Sequence, residues 1–122
     1  MKNFTKNIAP YVQQEIQKSV DALKSGPPEE AFSYLENAHV LGQASTYWHV
    51  KVHYLMLKWG IKQKSAREIF GQIFRIIGAA LLTKLKGVPE GNTGGSNVSA
   101  VKPMPINPKF SEIIAKAKRR GH

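Results

Sequence analysis

Three histidines and two glutamates in the first half of the chain have the side-chain types and spacing to hold a transition-metal ion. His49 and His53 stand four residues apart in STYWHVKVHYLMLKWGIK, residues 45–62. On a helix that spacing stacks two imidazoles one turn apart, the arrangement used to grip a metal from one helical face. Glu36 and His39 stand three apart on the segment just before, so a carboxylate and a third imidazole share one side of it. Glu15, further upstream, is a candidate for an alternative ligand or for a group that orients a ligand from behind. The candidate ligand set is therefore His39, His49, His53 and Glu36, with Glu15 in support, and the candidate ions are zinc, nickel and copper. A second reading needs no ion: a buried polar network in which Glu36 or Glu15 accepts from an imidazole and Tyr47 or Tyr54 completes it.

The case for burial comes from the same helix. Lys51, Lys58 and Lys62 fall in one stripe, and His49, His53, Met56 and Gly60 fall on the opposite side. If the lysines are solvated, the imidazoles are inside. A buried imidazole left without a partner costs about 1–3 kcal/mol, so something must satisfy each of them. No glutamate directly follows His49, and the general base of a helix-borne metalloprotease is thereby missing. Four protein ligands suit a closed, non-catalytic site, and no catalytic residue is assigned.

The elements that must position these residues read as helices throughout. Ile8, Val12, Ile16, Val20 and Leu23 mark one face of a first helix from about Thr5 to Lys24, which Gly26-Pro27-Pro28 ends. A second runs from about Pro28 to Leu41, opened by proline and by Glu29 and Glu30. A third runs from Ser45 to Lys62, and a fourth begins at Ser65, which stands in capping-box spacing with Glu68. The fourth is apolar on most sides and is expected to be the central helix, with Gly71 and Gly78 admitting a neighbouring backbone. Residues 87–108 are rich in glycine, asparagine and proline and read as an irregular arm packed on the bundle. A short helix over 109–120 closes the chain. The expectation is one all-α domain over 1–122, a compact bundle of four main helices with a short C-terminal helix. Gly26, Ala31, Leu35 and Ala38 give the second helix and its hairpin a tetratricopeptide-like pattern that does not recur downstream.

Composition narrows the function classes. A chain of 122 residues without cysteine has no thiolate metal site, disulfide or cysteine nucleophile, and a cytoplasmic location is expected. Its net charge of +10 raises the question of a polyanionic partner. Five of its eight carboxylates precede residue 37, and five basic residues lie between Glu36 and Glu68 with no acid among them. Lysines spaced for solvation, with no aromatic clearly displayed among them, make nucleic acid a weaker reading than a protein partner or a homo-oligomer. The apolar run from Ile69 to Leu82 is interrupted and short of the roughly 20 residues a membrane span needs, so no membrane partner is expected.

Four motifs carry a resemblance that covers nearly the full chain: Pro10-Tyr11 with Glu15, LENAHVLGQAST from Leu35, WHVKVHYLMLKW from Trp48, and VPEGNTGGSNVS with PMPINP in the arm. By these the chain resembles a family of small bacterial proteins of unknown function. The resemblance implies a bacterial cytosolic protein and supplies no activity. His39, His49 and His53 fall inside the shared motifs.

Overall fold

In a computed structural model of the chain, residues 3–82 and 105–119 are described. They form five α-helices and, among the described residues, no strand: α1 (Phe4–Ser25), α2 (Pro28–Gly42), α3 (Thr46–Lys62), α4 (Ala66–Leu82) and α5 (Pro108–Arg119). The fold is all-α, as the periodicity requires. The expected arm lies outside the described residues apart from 105–108, and Leu82 is the last described position before it.

Local chemistry sets the helix starts. Pro28 opens α2 with Glu29 and Glu30 in the first turn, where its exposed backbone N–H groups favour negative charge. Ser45 caps α3 by accepting from the Trp48 backbone N–H at 3.3 Å, and its hydroxyl also meets that of Thr5 on α1 at 2.7 Å. Ser65 caps α4 in the same way, accepting from the Glu68 N–H at 3.3 Å. The second half of that capping box does not form. The Ser65 N–H goes back to the Gly60 carbonyl at 2.9 Å, which leaves the Glu68 carboxylate free to turn inward. The turn between α3 and α4 places Lys64 at φ 56°, in the left-handed region.

Packing orders the helices. α1 lies along α2, α2 along α3, and α3 along α4, while α5 crosses α1 and α2 on the far side. Phe4, Ile8 and Val12 of α1 meet Leu35, Ala38 and Leu41 of α2 and Trp48, Val52 and Met56 of α3 in a single core, which Ala117, Phe110, Ile113 and Ile114 of α5 close. Two indoles are tied down by their N–H groups, Trp48 to the Thr5 carbonyl and Trp59 to the Pro28 carbonyl, each at 2.9 Å.

α4 is not the central one of the described helices, which corrects the expectation. Among the described helices α4 packs against α3 alone. Its inward side carries Glu68, Gln72 and Ala79, all buried, and its outward side carries Phe70, Ile73, Phe74, Ile77 and Leu81, all exposed, with Phe70 at 71% and Phe74 at 69%. The helix was read as apolar on most sides; what the fold does is bury its polar stripe and turn the apolar one out.

Two close approaches between helices fall at Gly42 and Gly60. A Cβ on Gly42 would stand 2.7 Å from the Cβ of Trp48, and one on Gly60 would stand 2.9 Å from the Cβ of Glu68. Gly71 and Gly78, where such approaches were expected, are half-buried on α4. A Cβ has no rotamer to escape by, so Gly60→Ala must push α4 away from α3. We expect it to destabilise the fold by about 1–3 kcal/mol, measured by urea unfolding, although alanine is the better helix former.

Candidate metal centre

The hairpin of α2 and α3 brings the three imidazoles together in the core. His39 comes from α2 and His49 and His53 from α3, and they are 2%, 6% and 2% exposed. Their ring centroids are 4.6–4.9 Å apart, with His39 edge-on to each of the other two. One ring nitrogen from each can be chosen so that all lie within 4.8 Å of one another. Nε2 of His39 and Nε2 of His53 are in direct hydrogen-bond contact at 3.0 Å. Two nitrogens on one tetrahedral zinc, each bonded at about 2.0–2.1 Å, stand roughly 3.3 Å apart. For this pair a movement of a few tenths of an ångström separates the two arrangements; the three-nitrogen set, spread over up to 4.8 Å, would have to draw together further.

The proton positions follow from α4. Gln72, 0% exposed, sets its carbonyl Oε1 2.6 Å from His53 Nδ1 and donates from Nε2 to Glu68 Oε2 at 2.9 Å. A carboxylate only accepts, so it fixes the amide with its NH2 toward Glu68 and its oxygen toward the imidazole. His53 therefore donates from Nδ1, and its Nε2 keeps the lone pair. In the pair with His39 that Nε2 accepts, and His39 Nε2–H donates. The chain Glu68, Gln72, His53 thus does for a ring nitrogen what the outer partners of metal-bound histidines do: it selects the tautomer and aims the lone pair.

The rings of His49 and His53 are neutral at pH 7. Burial pushes the His53 imidazolium down to about 4; the Gln72 hydrogen bond and Glu68 pull upward and Arg75 pushes further down. Burial, with His53 beside it, lowers His49 to about 3. Neutral imidazole is the form that binds a metal.

The carboxylates singled out from the sequence lie elsewhere. Among the described residues no carboxylate joins the close three-histidine group. Glu36 is half-buried, and burial followed by the charge of Glu68 raises its pKa. Glu15 is buried and bound from both sides, its Oε1 accepting from Asn37 Nδ2 at 3.0 Å and its Oε2 from Lys18 at 3.1 Å. It ties α1 to α2. Tyr47 and Tyr54 are exposed, with Lys51 and Lys58 about 5.9 Å and 5.7 Å from their ring centres. They face solvent on the lysine side of α3, where a buried network has no use for them.

Glu68, Gln72 and Arg75 were not recognised as site residues in the sequence. Their signal was present. At positions i, i+4 and i+7 they form one polar stripe on an otherwise apolar helix, a pattern that calls for a polar neighbour.

Buried neutral histidines make stability depend on pH with a definite sign. Between the folded pKa values of about 3 and 4 and the unfolded value near 6.5 the unfolded chain binds more protons, so stability falls as pH drops below about 6.5. Each histidine contributes a slope of up to about 1.4 kcal/mol per pH unit. Glu36, with its pKa raised, acts in the opposite direction just above pH 4.5 and offsets part of this. We expect thermal melts of metal-free protein to show a lower Tm at pH 5 than at pH 7, and the difference to shrink in His49→Ala.

Comparison with curated proteins and with solved structures finds no match. A family model does match, over residues 6–114, a span that takes in α1 to α4, all three histidines and the Glu68–Gln72 pair. With the matched region covering most of its length, the chain belongs to the family described as Protein of unknown function (DUF3703).

Proposed function

We propose that this protein is a non-enzymatic metal-binding protein that holds a zinc, nickel or copper ion through His39, His49 and His53. The observation that carries the reading is the convergence of three buried imidazoles within 4.8 Å, one of them aimed by a hydrogen-bonded chain from a neighbouring helix. Three imidazoles from two helices close a hairpin around the ion, and Gln72 ties the third element, α4, to the same site. In this reading the protein is a bacterial cytoplasmic one. No described helix is long and apolar enough to cross a membrane.

The test begins with protein purified without a polyhistidine tag. Metal analysis and titration of the wild type should show one ion per chain, and His49→Ala and His53→Ala should each abolish tight binding. Equal, weak binding by wild type and variants would sink the reading. Gln72→Leu removes the acceptor for His53 Nδ1–H while leaving all three ligands, and we expect it to weaken binding about 10–100-fold.

The outward face of α4 favours a second activity, self-association. Five exposed apolar side chains, two of them phenylalanines, offer on the order of 500 Å² per copy. Face-to-face pairing of two copies then reaches the roughly 1,000 Å² that a specific interface requires. The tetratricopeptide-like hairpin of α2 and α3 would sit behind that face as its scaffold. Sedimentation at micromolar concentration should show a dimer that Phe70→Glu with Phe74→Glu converts to monomer; a wild type that is already monomeric at that concentration ends this reading.

A further inference from the structure

The charge and coordination of the three-histidine site say which class of ion it suits, an inference that rests on the metal-binding reading above. The ligands His39, His49 and His53 are three neutral nitrogens, and among the described residues no carboxylate joins them. The carboxylate nearest along the hydrogen-bonded chain, Glu68, accepts from Gln72 and shares its surroundings with the half-buried Arg75, whose guanidinium offsets its charge. The histidines are at most 6% exposed, so the site offers little solvent to complete a coordination shell.

A dication in such a place meets two difficulties at once. The cost of moving an ion from water into a low-dielectric interior scales with the square of its charge, so at equal radius a divalent ion bears about four times the penalty of a monovalent one. Zinc also takes four ligands, supplied by protein in structural sites and by water or substrate in catalytic ones, and nickel in nitrogen and oxygen sites commonly takes four or more. Three neutral imidazoles in a dry core leave both the charge and the coordination of these ions incomplete. Cu(I) has a filled d shell, carries a single charge and accepts three-coordinate geometry, and imidazole is among the ligands that suit copper.

We propose that the site selects a monovalent copper ion, Cu(I), held in three-coordinate geometry by His39, His49 and His53, over divalent zinc and nickel. No electron transfer is involved; the ion arrives and leaves as Cu(I).

The experiment is an anaerobic competition on the full chain. Cu(I), kept reduced with ascorbate, is titrated against bicinchoninate, and zinc and nickel are titrated against colorimetric chelators, for wild type, His49→Ala and His53→Gln. Circular dichroism checks that each variant is folded. The expected result is one equivalent of Cu(I) bound by wild type, weakened on the order of 100-fold in the variants, with zinc and nickel held no more tightly by wild type than by the variants. Histidine-dependent binding of zinc or nickel as tight as that of Cu(I) overturns the selectivity and leaves the metal-binding reading standing. Failure of all three ions to bind wild type overturns both. If a variant does not fold, direct competition between Cu(I) and zinc on wild type still decides, because release of Cu(I) by one equivalent of zinc contradicts the proposal.

Discussion

Burying three imidazoles side by side is the constraint around which the rest of this bundle is arranged. Each ring carries one nitrogen that donates and one that accepts, and in a core neither can be left to water. The fold answers for His53 with Gln72, and answers for Gln72 with Glu68, so the requirement passes outward along α4 until it reaches a carboxylate near the start of that helix. Burial keeps His49 and His53 uncharged, and Gln72 decides which nitrogen of His53 holds the proton. Orientation and protonation are thus settled by a helix that contributes no ligand.

This explains why α4 is turned as it is. A helix with Phe70, Phe74, Ile77 and Leu81 on one side and Glu68, Gln72 and Arg75 on another would ordinarily bury the first set. Here Gly60 lets α3 and α4 come within contact of backbone and Cβ, and what α3 presents at that seam includes His53. The polar stripe is the side that matches. The apolar stripe is left facing out as a consequence, which makes the binding site and the exposed face two results of one packing decision.

Much of this was legible in the sequence. The lysine stripe of α3 placed His49, His53, Met56 and Gly60 inside, and all four are buried. Helix starts at Pro28 and Ser45 follow from proline and serine chemistry that operates within a turn. What could not be read was pairing between segments. Glu36 stands three residues from His39, yet among the described residues His39 joins the imidazole group and Glu36, half-buried, does not. The spacing of Ser65 and Glu68 fits a capping box, yet the Glu68 carboxylate accepts from Gln72 one turn on, and the demand behind that pairing is the long-range contact of Gln72 with His53. For α4, a helix apolar on most sides reads as central, but its polar stripe is the side that packs, since hydrophobicity ranks faces only when the neighbour is apolar.

The 3.0 Å contact between His39 Nε2 and His53 Nε2 also bears on how the protein behaves when it carries no ion. A proton occupies the line between the two nitrogens, so these two rings are bridged without any ion. An ion held at both Nε2 atoms, as proposed, would replace that bridge, and His39 would then carry its proton on Nδ1. The shared proton would then be a placeholder that holds the two rings in register while no ion is there, and the neutral pair need lose no proton to admit one.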